Sequence, residues 1–93
     1  MVKTFKCKET KKVWNREFSN KFSKNIQTKA RRKLIILASA STLNDLRVPP
    51  SNRLEKLKGD RNGQYSIRIN NQWRVCFYFN DGEATEVEIV DYH

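Results

Sequence analysis

What this 93-residue sequence has little of narrows its function quickly. It has two cysteines, Cys7 and Cys76, too few and too far apart to form a disulfide framework. With one histidine, His93, beside them, the usual zinc ligand set cannot be assembled, and no metal or other cofactor is expected. Long apolar runs are missing too. The longest, Leu34 to Ala38, is far too short to span a bilayer, so no membrane partner is expected. The first residues, Met1-Val2-Lys3-Thr4-Phe5-Lys6, put charges where a signal peptide is apolar, which implies a reducing cytoplasm. The three glycines form no phosphate-cradling loop, and Gly59 and Gly63 read as turn residues. No serine or cysteine stands in a nucleophile motif with a paired histidine. Repeats, low-complexity tracts and linkers are all lacking, which leaves one domain over residues 1–93. Folding at that length buries roughly 60% of the unfolded surface. A hydrophobic content of 38% is enough for one modest core.

Acidic residues are scarce in one part of the chain only. Residues 1–33 hold 12 Lys and Arg against 2 acidic residues, whereas residues 34–93 hold 7 against 8. Solubility does not need so uneven a split. A net charge of +9 concentrated on one segment attracts a polyanion and releases its counterions on binding. RNA is the partner this composition fits.

Two periodicities organise the chain. Trp14, Phe18 and Phe22 recur every four residues and predict a helix over residues 10–22, its other faces carrying Lys11, Lys12, Arg16 and Lys21. Residues 25–40 predict a second helix, with Ile26, Ala30, Leu34 and Leu37 on one face and Lys29, Arg31, Arg32 and Lys33 crowding the others. Thr42 and Asp45 can cap a short third helix, which Pro49-Pro50 then ends. Beyond the prolines the period falls to two. Tyr65, Ile67 and Ile69, then Trp73, Val75, Phe77 and Phe79, then Val87 and Ile89, each mark one apolar face of a strand. Asn70-Asn71-Gln72 and Asn80-Asp81-Gly82 are hairpin loops. Val2 to Lys6 alternates enough for a short first strand. The fold class is therefore α+β, an antiparallel sheet with N-terminal helices on one face.

By parity the other face presents Ser66, Arg68, Arg74, Cys76, Tyr78, Glu86, Glu88 and Tyr92, at least partly open to solvent. Metal-free RNA cleavage directs a 2′-hydroxyl at its neighbouring phosphate. It needs cations for the developing charge and a group to move protons. Arg68, Arg74, Lys56 and Lys58 suit the first need, and His93 suits the second. Tyr92 can stack an unpaired base. A terminal histidine is also commonly frayed tail, and the residues alone leave both readings open. The acidic run Asp81, Glu83, Glu86, Glu88 and Asp91 alternates on a strand, which argues for a solvated or arginine-paired face rather than a metal site. A symmetric Asn70-Asn71-Gln72 hairpin would set Arg68 opposite Arg74. That like-charge pair implies an anion site, and a neutral Arg74 variant at least as stable as the wild type.

Three stretches carry a family resemblance: Pro49 through Ile69, Trp73-Arg74-Val75-Cys76-Phe77, and Val90-Asp91-Tyr92-His93. Together they resemble HigB toxins, the growth-inhibiting halves of bacterial type II toxin–antitoxin pairs in the RelE-like superfamily. The resemblance implies a RelE-like fold and cleavage of messenger RNA in the ribosomal A site. It also implies a HigA-type helix-turn-helix antitoxin, through which alone the toxin would meet operator DNA. It assigns catalysis to Lys58, Arg74, Asp91, Tyr92 and His93; from the residues themselves, Glu55, Lys56 and Arg68 are expected near the substrate. Lys29, Arg31, Arg32 and Lys33 would face the ribosome. Some relatives carry a histidine three residues before the active-site lysine, where this chain has Glu55. Acid/base work then falls to Glu55 or to His93. Two rival functions share the basic composition: a non-cleaving RNA- or ribosome-binding inhibitor of translation, and a related fold that inhibits DNA gyrase. New 5′ ends on translated mRNA separate the first rival, and a supercoiling assay the second.

Overall fold

A computed structural model describes residues 1–92. Helix α1 (Lys8–Trp14) and helix α2 (Lys24–Ser39) precede a four-stranded antiparallel sheet. Its strands are β1 (Glu55–Lys56), β2 (Tyr65–Arg68), β3 (Trp73–Asn80) and β4 (Glu83–Asp91), adjacent in that order. The helices cover one face. Ile26, Ala30, Leu34 and Leu37 of α2 and Val13 of α1 meet Ile67, Val75, Phe77, Val87 and Ile89 of the sheet, all buried in one cluster. Each such large aliphatic side chain contributes about 1.5–3 kcal/mol by leaving water.

The second helix lies within one residue of its expected bounds. Its start is set by Ser23, whose hydroxyl accepts the Ile26 N–H. The Thr42–Asp45 capping box also forms, at the head of a 3-10 turn over Leu43–Arg47. The first helix differs from expectation: it stops at Trp14 instead of running to residue 22. Arg16 takes a left-handed φ of 61°. The Glu17 N–H then returns to the Lys12 carbonyl and the Arg16 N–H to that of Val13, which closes the helix end. Long-range bonds hold the following loop. Ser19, buried, donates to Glu9 at 2.6 Å, and the Gln27 amide donates to the carbonyls of Ser19 and Phe22. Phe22 therefore reaches the core from a loop, edge-on to Trp73, whereas Phe18 is 77% exposed. The apolar spacing at 14, 18 and 22 is not a helical stripe.

The expected first strand is reduced to two parallel bridges, Val2 with Ala84 and Phe5 with Val87. They lie where β4 carries an extra residue. Cys76 pairs with Glu88 and Tyr78 with Thr85, so Phe77 faces both Glu86 and Val87. Glu86 has a φ of 50° and its N–H donates to the Thr4 hydroxyl. This bulge shifts parity, which lets Ala84 and Val87 both face the core.

The second face of the sheet is not the open surface that alternation implies. Ser66, Arg74 and Cys76 are buried there. The segment between the prolines and β2 wraps the sheet edge and covers it. It forms the short strand β1, which the periodicity did not reveal.

Candidate active site

Arg74 is the centre of this covered face. It lies on β3 and is only 9% exposed. Its Nε donates to Ser66 Oγ at 2.8 Å on β2, and its Nη2 donates to the Arg53 carbonyl at 2.6 Å. Glu55 Oε2 is 3.9 Å from the same Nη2. The Tyr92 ring lies over the guanidinium, with Cζ 5.7 Å from its centroid. Each neighbour has a local cause. Ser66 and Glu55 are Cα partners across β1 and β2, so both project on the face that holds Arg74. Arg53 has φ 44° and ψ 57°, a left-handed turn after Pro50–Asn52. Tyr92 is held by its N–H, which donates to the Gln72 carbonyl at 2.6 Å, beside a Gln72 amide bond to Asp91 at 3.2 Å.

Arg68 and Arg74 are Cα partners, as the symmetric hairpin implies. Their guanidinium groups nevertheless part. Arg68 turns to its own hairpin loop, bonding the Asn70 carbonyl and Asn71 Oδ1. Arg74 turns inward to Ser66 and Arg53. The expectation that a neutral Arg74 variant would be at least as stable rested on repulsion alone, and these two bonds, one buried and one part-buried, oppose it.

Among the other expected site residues, Glu55, Tyr92 and Arg74 come together. Lys56 does not. It pairs with Tyr65 and so projects on the opposite face of β1 from Glu55. Lys58 is exposed at the start of the 3-10 turn over Gly59–Arg61. His93 lies outside the described residues. Lys29 and Arg32 are exposed on α2 and Arg31 is half-buried. Lys33 donates its ammonium to Asn52 Oδ1 at 2.6 Å, and burial depresses its pKa.

Sequence reasoning gave no role to Arg53, Arg61 or Ser66. Arg61 Nη1 bonds both Gln64 and Glu88, each within 3.2 Å, and so ties the covering strap to β4. That ion pair fits the arginine-paired reading at Glu88, while Glu83 pairs with Lys3 instead. Ser66 was legible by parity beside Arg74. The Arg53 contribution is a backbone carbonyl, which no side-chain pattern signals. Cys76 sits behind the site, and burial above all pushes its thiol pKa up, against the weaker pull of Arg61 and Arg74. Burial so disfavours the thiolate, the reactive form.

A separate groove of about 610 Å³ opens on the helical side, between the loop after α1 and α2. Its lining includes Phe18, Ile35, Arg31 and Arg32. No described helix is long and apolar enough to cross a membrane.

Comparison with known proteins matches residues 3–93 to the model of the RelE-like toxin of type II toxin–antitoxin system HigB. Toxin HigB-1 of Vibrio cholerae is 51% identical over 53 residues, a match that spans 57% of this chain and 56% of that relative. Endoribonuclease HigB of Proteus vulgaris is 29% identical over the full length of both chains. Among solved structures, a YoeB–YefM complex from Staphylococcus aureus gives a TM-score of 0.63 at 19% identity, covering 100% of this chain and 98% of that one. A YafQ mutant from E. coli gives 0.65 at 12% identity, covering 98% and 91%. These two share the fold: two helices on a four-stranded antiparallel sheet. With a family match over nearly its whole length, the chain belongs to the HigB-like family of RelE-like toxins of type II toxin–antitoxin systems.

Proposed function

We propose that this protein is an endoribonuclease that cuts translated messenger RNA in the ribosomal A site and so arrests growth. Family membership supports the activity, and a relative of equal length is named an endoribonuclease. The observation that carries the placement of the site is Arg74, a guanidinium held nearly out of water between a serine, a backbone carbonyl and a tyrosine ring. A cation so fixed stabilises a phosphorane without reorganising, and low local dielectric strengthens its effect.

In the reaction the 2′-hydroxyl oxygen bonds to phosphorus as the bond to the 5′ oxygen breaks. Arg74 meets the charge on the phosphorus oxygens, with Arg68 and Lys58 supplementing the field. Tyr92 offers its outer ring face to a base. Proton transfer falls to Glu55, at the rim beside Arg74, or to His93. Asp91 accepts from the Gln72 amide, beside Tyr92. So few proton-transfer groups make the isolated protein a poor nuclease. The ribosome supplies in-line alignment, which can be worth on the order of 7–11 kcal/mol. Lys29, Arg31 and Arg32 dock α2 on ribosomal RNA, while the Lys33 ammonium is already committed to Asn52.

The neutralising partner is an antitoxin, as in the solved complexes of the fold. A HigA-type helix-turn-helix protein fits the family and would carry the pair to operator DNA, in the cytoplasm. Mapping 5′ ends in a reconstituted translation reaction tests the reading. Wild type should create new ends within codons and Arg74→Gln should not. Translation arrest without new ends would establish the non-cleaving inhibitor instead. Rapid cleavage of naked RNA by the pure protein would refute the dependence on the ribosome.

A further inference from the structure

Asn52 is 0% exposed, and its side chain makes three hydrogen bonds that fit one orientation only. Nδ2 donates to the carbonyls of Leu46, at 3.1 Å, and Val48, at 3.2 Å. Oδ1 accepts from the Lys33 ammonium at 2.6 Å. Two carbonyls demand the amide nitrogen and an ammonium demands the oxygen, so the network fixes which way the amide points. The next residue is Arg53, in its left-handed turn, and the Arg53 carbonyl receives Arg74 Nη2 at 2.6 Å. A continuous chain of bonds therefore runs from α2, through Lys33, Asn52 and the turn at Arg53, to the guanidinium.

We propose that Lys33 and Asn52 are positioning residues for cleavage, fixing the carbonyl that sets the orientation of the Arg74 guanidinium. The inference rests on the reading of Arg74 as the group that meets phosphorane charge. Two features favour it over a tie that merely holds the loop. Lys33, half-buried, gives up hydration to make this 2.6 Å bond, and an apolar side chain would fill the same space without that cost. The bond also sits one residue from the carbonyl that holds Nη2, whereas Ser66 fixes only Nε. Without the Arg53 carbonyl the guanidinium plane can turn about its Nε bond, and the Nη groups lose their aim at the phosphate. A loss of aim of about 1 Å can cost on the order of a hundredfold in rate.

The test uses the full chain. Lys33→Met removes the ammonium and keeps an apolar stem. Three quantities are read together: single-turnover cleavage on saturating ribosomes carrying mRNA, ribosome affinity, and solvent exchange of the Arg74 Nη protons by NMR. The expected result is a fall in cleavage of tenfold or more, ribosome affinity within about twofold of wild type, and Arg74 Nη exchange at least tenfold faster. Lys33→Arg, which keeps a cationic donor, should recover most of the rate. Should Lys33→Met melt below the assay temperature, Lys33→Gln, which removes the charge but keeps a polar group, takes its place. Unchanged Nη exchange overturns the proposal whatever happens to cleavage, because the guanidinium then does not depend on the tie. Faster exchange with undiminished cleavage also overturns it, because the tie then does not govern the rate; failure of the Arg74 reading itself is seen separately, as cleavage that survives in Arg74→Gln. A loss of cleavage explained wholly by weaker ribosome affinity would return Lys33 to the docking surface and overturn the positioning role.

Discussion

Replacing Arg74 by glutamine sets two effects in opposition. Relief of the like-charge pairing with Arg68 should help stability by at most about 1 kcal/mol, the range for directly opposed side chains on a sheet. Against it stand two hydrogen bonds from a buried cation, to Ser66 at 2.8 Å and to the Arg53 carbonyl at 2.6 Å. Hydrogen bonds to charged groups contribute about 1.5–3 kcal/mol each. A glutamine amide reaching Ser66 recovers part of this, which leaves a net loss of about 2–3 kcal/mol. For a domain of this size 1 kcal/mol shifts the melting temperature by about 4–8 °C, so Arg74→Gln should melt on the order of 10–20 °C lower. The assay is thermal unfolding followed by circular dichroism, beside 5′-end mapping on the same preparation at a temperature where the variant is folded. Cleavage should be absent there. Added sulfate should raise the wild-type melting temperature more than the variant's, since an anion that binds only the folded site stabilises it. A variant that melts at or above the wild type would refute the reasoning: it would mean that repulsion from Arg68 outweighs both bonds.

Reversing Lys29 and Arg32 to Glu should weaken ribosome binding and flatten its log–log salt dependence by about one unit for each phosphate no longer neutralised, with no change in melting; an unchanged salt titration would count against docking by α2. Phe18→Ala should leave stability within about 0.5 kcal/mol, because the ring is 77% exposed, whereas Phe22→Ala should cost about 3–5 kcal/mol. Chemical denaturation of both variants checks that pair. Asp45 is held below its ordinary 3.8, chiefly by the backbone N–H of Thr42 and then that of Ser41. Its stabilisation is complete above that value and is lost as pH falls through the depressed pKa. Wild type should therefore lose stability in that acidic window by more than Asp45→Asn does, as denaturation at a series of pH values would show.

Local pattern determined a good part of this protein. The four-residue spacing from Ile26 to Leu37 requires one buried face, and α2 formed within one residue of it. Alternation from Tyr65 to Ile89 requires a two-faced sheet, and the Asn-rich loops close its hairpins in the register that sets Arg68 against Arg74. Capping at Thr42 involves neighbours in the chain and was equally legible. The motif from Pro49 to Ile69 and the terminal Asp-Tyr-His pointed to the family. What the sequence left undetermined depends on partners distant along the chain. Helix α1 ends at a left-handed Arg16, and the loop beyond it, where the sequence implied more helix, is held at Ser19 and Phe22 by Gln27 from another helix. The bulge at Glu86 depends on Thr4, at the other end of the chain. Arg74 is buried rather than solvent-facing because the strap after the prolines folds over it, and its partners there are a backbone carbonyl and a serine hydroxyl. Backbone groups look alike at every position, so only the tertiary structure decides which carbonyl a buried guanidinium finds.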